Sequence, residues 1–84
     1  MKYNWIRNKA CKIDRIEHTI SHRMIRDKMG KEEFTTLIVK NHSPTDQEEI
    51  CSFYSNSSEE MYQQTETKLN ELSTDNYEIG DYID

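Results

Sequence analysis

Cys11, His18 and His22 are the residues whose types and spacing come nearest to metal chemistry. Two imidazoles four residues apart on a helix reach one ion, and Cys51 or His42 could complete four ligands. Arg15 falls among them, however, and its charge disfavours a bound cation. Without a Cys-x-x-Cys partner the three read as ordinary surface residues of a helix, and neither a metal nor another cofactor is expected. Imidazole is the side chain whose charge can change between pH 5 and 8, so histidine contacts with acids are expected to be pH-sensitive. Catalysis finds no support: there is no phosphate-cradling glycine loop, no serine in a nucleophile-elbow context and no His–Cys pair with an orienting acid. The chain is not expected to be an enzyme.

Charge is the second chemical feature. Residues 1–42 carry ten Lys/Arg against five Asp/Glu, whereas residues 43–84 carry Lys68 alone against eleven acids. On a helical projection the basic residues Arg7, Lys12, Arg15, Arg23 and Arg26 fall opposite an isoleucine stripe. Arg15, Arg23 and Arg26 are thus candidates for phosphate contact, and a nucleic-acid-binding accessory protein is one reading. The net charge of −5 opposes it, because a duplex carries one negative charge per roughly 1.7 Å. No aromatic residue interleaves with the basic ones on that projected face to stack bases.

The acidic half offers the stronger surface. Glu59, Glu60, Glu66, Glu71, Asp75 and Glu78, with Tyr62 and Tyr77 among them, are the candidate partner-binding residues. Tyrosine beside carboxylates combines apolar area with a hydrogen-bonding tip. Acids from Glu59 to Asp75 recur about every 5 Å along a helix rising 1.5 Å per residue, so the surface can stand in for nucleic-acid phosphate in a basic channel of another protein. The leading expectation is a small protein-binding module or inhibitor that docks this surface on a basic partner.

The elements that must position these residues follow from periodicity. Ile13, Ile16, Ile20 and Met24 recur at spacings of three, four and four, and Gly30 follows where a left-handed cap is usual. A long helix over 8–29 is predicted. Residues 31–41 fit a strand or a helix equally, with Thr35, Thr36, Ile38 and Val39 β-branched. Ser43-Pro44-Thr45-Asp46-Gln47-Glu48 reads as a helix start, giving a short helix from Pro44 to about Tyr54. Ser57 with Glu60 forms a capping box ahead of Met61, Thr65, Leu69 and Leu72, so a helix over about 58–73 is predicted. Residues 74–84 read as an acidic tail, either an edge strand or a partly disordered arm that orders on contact. The expected fold is therefore mainly α: one small helical domain over 1–73, a long first helix packed on two shorter ones. The alternative is α+β with one or two short strands.

At 84 residues the chain has room for one domain, with hydrophobic and charged residues in nearly equal shares, 33% and 32%. Such a domain buries a modest core, so a partner or a second copy can supply part of it; a homodimer built on the Ile13–Met24 stripe is a further reading. No apolar stretch approaches the roughly 20 residues of a membrane span, and the first residues lack the apolar core of a secretory signal. A cytoplasmic protein with two reduced cysteines is expected. Phe, Tyr, Met, Ile, Asn and Lys total 33 residues against 8 of Gly, Ala, Arg and Pro, a usage that fits a low-GC bacterium or a phage.

Overall fold

The computed structural model describes residues 3–83. Five strands and one helix follow in the order β1 (Tyr3–Ile13), β2 (Ile16–Arg26), β3 (Glu32–Ser43), β4 (Asp46–Ser55), α1 (Ser58–Leu72) and β5 (Tyr77–Ile83). All five strands join one antiparallel sheet in the order β4-β3-β2-β1-β5. The expected mainly helical domain is thus wrong: among the described residues 51 lie in strands and 15 in the helix.

The predicted long helix over 8–29 is a β-hairpin. A spacing of four is also two pleats of a strand, so Ile16, Ile20 and Met24 share a sheet face as readily as a helix face. The residues between them decide the matter. His18 and His22 fall on that same face and are buried with Ile20 and Met24, while Glu17 and Arg23 on the other face are exposed. The two strands turn through Asp14 and Arg15, with φ of 51° and 70°, between the paired Ile13 and Ile16. Positive φ at both central residues gives a turn whose twist matches that of the flanking strands. An arginine there costs about 1–2 kcal/mol. Asp14 offsets this: its carboxylate accepts the backbone N–H groups of Thr74, Asp75 and Asn76 at 2.7–3.2 Å and the Thr74 hydroxyl at 3.1 Å. The first hairpin is thereby tied to the segment that leads into β5.

The predicted short helix over 44–54 is also a strand. Proline's fixed φ suits the first corner of a tight turn as well as the first turn of a helix, and Pro44-Thr45 makes the turn between paired Ser43 and Asp46. Farther along β4 the register passes from Cys51 to Glu49, so the skipped Ile50 forms a bulge. Ile50 and Cys51 both pack against the core as a result.

Helix α1 lies where its capping signals place it. The Ser57 hydroxyl accepts the Glu60 N–H at 3.2 Å and the Glu60 carboxylate accepts the Asn56 N–H at 3.1 Å. Its buried side, Met61, Thr65 and Leu69, covers one face of the sheet. Leu69 completes a cluster with Cys11, Ile13, Ile20 and Ile38, and Met61 completes another with Met24 and Phe34. Ile13, Ile20 and Met24 of the stripe are buried inside the protomer, whereas Ile16 is exposed. The face opposite α1 carries Ile25, Leu37 and Val39, all half-buried, without a covering element among the described residues. No helix of the described residues is long and apolar enough to cross a membrane.

Candidate functional site

Alternation along β1 puts Trp5, Arg7 and Lys9 on the face that also carries Cys11 and Ile13. Helix α1 packs chiefly over β3 and β4, so the β1–β5 side of that face is left as a shelf. Its floor is Arg7 and Lys9, its wall is Tyr62 of α1, and its rim is Tyr82 of β5, which pairs with Lys9 across the strands. The Arg7 guanidinium lies 5.0 Å from the Trp5 ring centre and 5.9 Å from that of Tyr82. The Lys9 ammonium lies 4.6 Å from Tyr82 and 5.8 Å from Tyr62. Among the described residues neither cation forms an ion pair; the pairs present are Arg26–Glu32, Lys31–Glu33, His42–Glu48 and Lys68–Glu71. Attraction to ring faces holds the two cations together in place of carboxylates.

The electrostatics of the shelf follow from that arrangement. Hydrogen bonding to Arg7, helped by the Lys9 charge and opposed by desolvation, draws the Tyr82 phenol below its ordinary pKa. Burial and the neighbouring Tyr82 push the Tyr62 phenol up. Behind them His22 is 3% exposed, its Nδ1 3.0 Å from the Thr36 hydroxyl and its ring 5.6 Å from that of Tyr62 at a 76° edge-on angle. Desolvation, with Lys9 adding to it, lowers the His22 pKa to about 4, so the imidazole is neutral at pH 7.

The residues singled out from sequence are dispersed. Arg15 sits in the β1–β2 turn, Arg23 on the sheet face away from α1, and Arg26 at the end of β2, where it pairs with Glu32 at 3.0 Å. With no helix over 8–29 these three share no face. Of the acidic set, Glu59, Glu66 and Glu71 are exposed on α1, Glu71 bridging Lys68 at 3.2 Å, and Glu60 is engaged in the cap. Asp75 lies in the segment held by Asp14, Tyr77 packs on the core cluster, and Glu78 pairs with Lys12 on the face away from α1. His18 faces Cys11 across the β1–β2 pair, and its Nδ1 lies 2.8 Å from the Ile16 carbonyl. No group of three metal-ligating side chains occurs among the described residues, and Cys11 and Cys51 are free thiols.

Sequence reasoning passed over the shelf. The signal was Trp5-x-Arg7-x-Lys9, an aromatic and two cations at strand spacing, which a helical projection scatters. Comparison with known proteins adds no name: no family model, curated protein or solved structure matches the chain.

Proposed function

We propose that the protein is a small binding module that captures a basic, nucleic-acid-binding surface of a partner protein with an acidic flank formed by β4 and α1. The carrying observation is the convergence of acids from two elements. Asp46, Glu48 and Glu49 are exposed along the edge strand β4, and Glu71 is exposed on the side of α1 that faces it; Glu59 and Glu66, three and four residues from Tyr62, lie on the other side of the helix. The Cys51 thiol marks where the elements meet, since desolvation and the charges of Glu49 and Glu71 raise its pKa against the pull of Lys68. Glu48 is partly engaged by His42 at 2.8 Å. Asp46, Glu49, Glu59 and Glu66 form no ion pair among the described residues. A flank of this kind speeds encounter with a positive surface and excludes acidic ones. It also blocks strand addition by a second copy at the β4 edge, since like charges would meet.

This reading moves the docking surface from the acidic half at large to one flank, because Glu78 points from the other sheet face and Tyr77 is in the core. The test is affinity capture followed by chemical cross-linking. A partner whose cross-links map to β4 and α1, which competes with DNA for the module and dissociates at least tenfold more readily as salt rises from about 0.05 to 0.5 M, is the expected result. Binding that survives the combined changes Asp46→Asn, Glu48→Gln, Glu49→Gln and Glu71→Gln would exclude the flank as the interface.

A further inference from the structure

Among the described residues β5 ends at Ile83, opposite Asn8, while β1 continues beside β2 back to Tyr3. An open pocket of about 400 Å³ lies at this edge, lined by Ile6, Arg7, Asn8, Tyr82 and Ile83. It shares Arg7 and Tyr82 with the shelf. Arg7 and Lys9 lie about 6.6 Å apart along the strand, close enough for two long side chains to converge on one group. The walls are aromatic, with Tyr62 46% and Tyr82 48% exposed, so both rings have surface to offer.

We propose that this pocket and shelf bind a mononucleotide, its phosphate held by Arg7 and Lys9 and its base stacked against the Trp5–Tyr82 rings. A phosphomonoester carries about −1.5 to −2 charge at pH 7, which two cations match. A guanidinium offers a planar fork of donors suited to phosphate, and its weak hydration keeps the cost of moving it from ring face to ligand small. The aromatic walls select a ligand with a flat ring over a bare oxyanion. Molecular charge decides size. A chain of net charge −5 repels every phosphate of a long strand, but a mononucleotide needs only the locally positive shelf. The site does not rest on the acidic flank, since β5 and β4 are opposite edges of the sheet.

Trp5 is the sole tryptophan and touches Arg7, so its emission reports on the site. Titration of the full chain with AMP, excited at the red edge of tryptophan absorption, is expected to give a saturable change, with adenosine and inorganic phosphate each at least tenfold weaker. The double change Arg7→Gln with Lys9→Gln is expected to weaken AMP at least tenfold. Tyr82→Leu, at an exposed edge, is expected to weaken it several-fold with the melting temperature unchanged, and it carries the test if the double variant misfolds. Asp46→Asn with Glu49→Gln should leave AMP affinity unaltered, which separates this site from the docking flank. Absence of a saturable response at millimolar AMP overturns the proposal. So does inorganic phosphate binding as tightly as AMP, an oligonucleotide binding more tightly than AMP, or AMP affinity unmoved by Tyr82→Leu.

Discussion

His22 and Asp14 set the pH behaviour of the fold, in separate windows. His22 is buried beside Lys9 and Tyr62, and its pKa falls from 6.5 to about 4 because burial disfavours the imidazolium. Above pH 6.5 both folded and unfolded chains hold it neutral, and it contributes no slope. Between pH 6.5 and 4 only the unfolded chain takes up the proton, so stability declines as pH falls, by on the order of 3 kcal/mol in all. Asp14 acts lower down. The Thr74 and Asp75 N–H groups, which its carboxylate accepts, hold its pKa below 3.8. Its contribution is complete above that value and is lost as pH falls through the lower, folded value. Urea unfolding at pH 7, 5 and 3.5 is expected to show a loss between pH 7 and 5 that His22→Leu removes, whereas Asp14→Asn lowers stability alike at pH 7 and 5 and flattens only the acid end. An unchanged pH 7-to-5 slope in His22→Leu would show that another group is responsible. The substitution also orphans the Thr36 hydroxyl, which lowers stability by a similar amount at every pH, so the slope rather than the level is the readout.

At the scale of elements, α1 is legible in the sequence and the first hairpin is not. Ser57 with Glu60 states where α1 begins, and Met61, Thr65 and Leu69 at four-residue spacing have only polar residues between them, leaving one apolar face. Over 8–29 the decisive residues were His18 and His22. As polar types they appeared to belong to a solvated face, whereas burial in one sheet face with a Thr36 partner makes them core. The turn was hidden as well, because Asp14-Arg15 lacks the glycine that usually marks such a hairpin. Misreading the element concealed the site, since Trp5, Arg7 and Lys9 converge only at a period of two. Pro44 misled for a related reason: one fixed φ serves both a helix start and a tight turn. The energetics of α1 are correspondingly local. Leu69 is fully buried against Cys11, Ile13, Ile20 and Ile38, so Leu69→Ala is expected to cost about 2–5 kcal/mol. Ser57→Ala, which removes one cap bond, should cost about 1 kcal/mol. Urea midpoints at constant slope measure both, and equal losses would mean that α1 is held by its cap rather than by its packing.

For the whole molecule, the opposed charges of the two halves become a spatial pattern through strand order. The second half returns to the first at both seams: Lys40 pairs with Glu48 across β3–β4, and Lys12 pairs with Glu78 across β1–β5. Asp46 and Glu49 stay without an ion pair along the β4 edge, and Arg7 and Lys9 without one on the β1–β5 shelf, among the described residues. The same topology grades local stability. Each of the first three strand pairings closes a short hairpin, whereas β5 returns to β1 only after all the other elements have formed. Loop closure of that length costs more entropy, and β5 is an edge strand with exposed residues from Glu78 to Ile83. Asp14 counters the loss at one end by holding residues 74–76 through their backbone N–H groups; the other end is held through the Tyr82 side chain, against Arg7 and Lys9. Amide exchange is therefore expected to be slowest in β2 and β3, which have neighbours on both sides, and fastest among strands in β5, rising from Tyr77 toward Ile83. Asp14→Ala should accelerate exchange in β5 and in residues 74–76 by at least tenfold while leaving β3 nearly unchanged. Equal acceleration in β3 and β5 would mean that the edge strand opens only with the whole sheet. The pocket beside Arg7 and Tyr82 would then be a fixed feature of the folded state rather than part of its most labile strand.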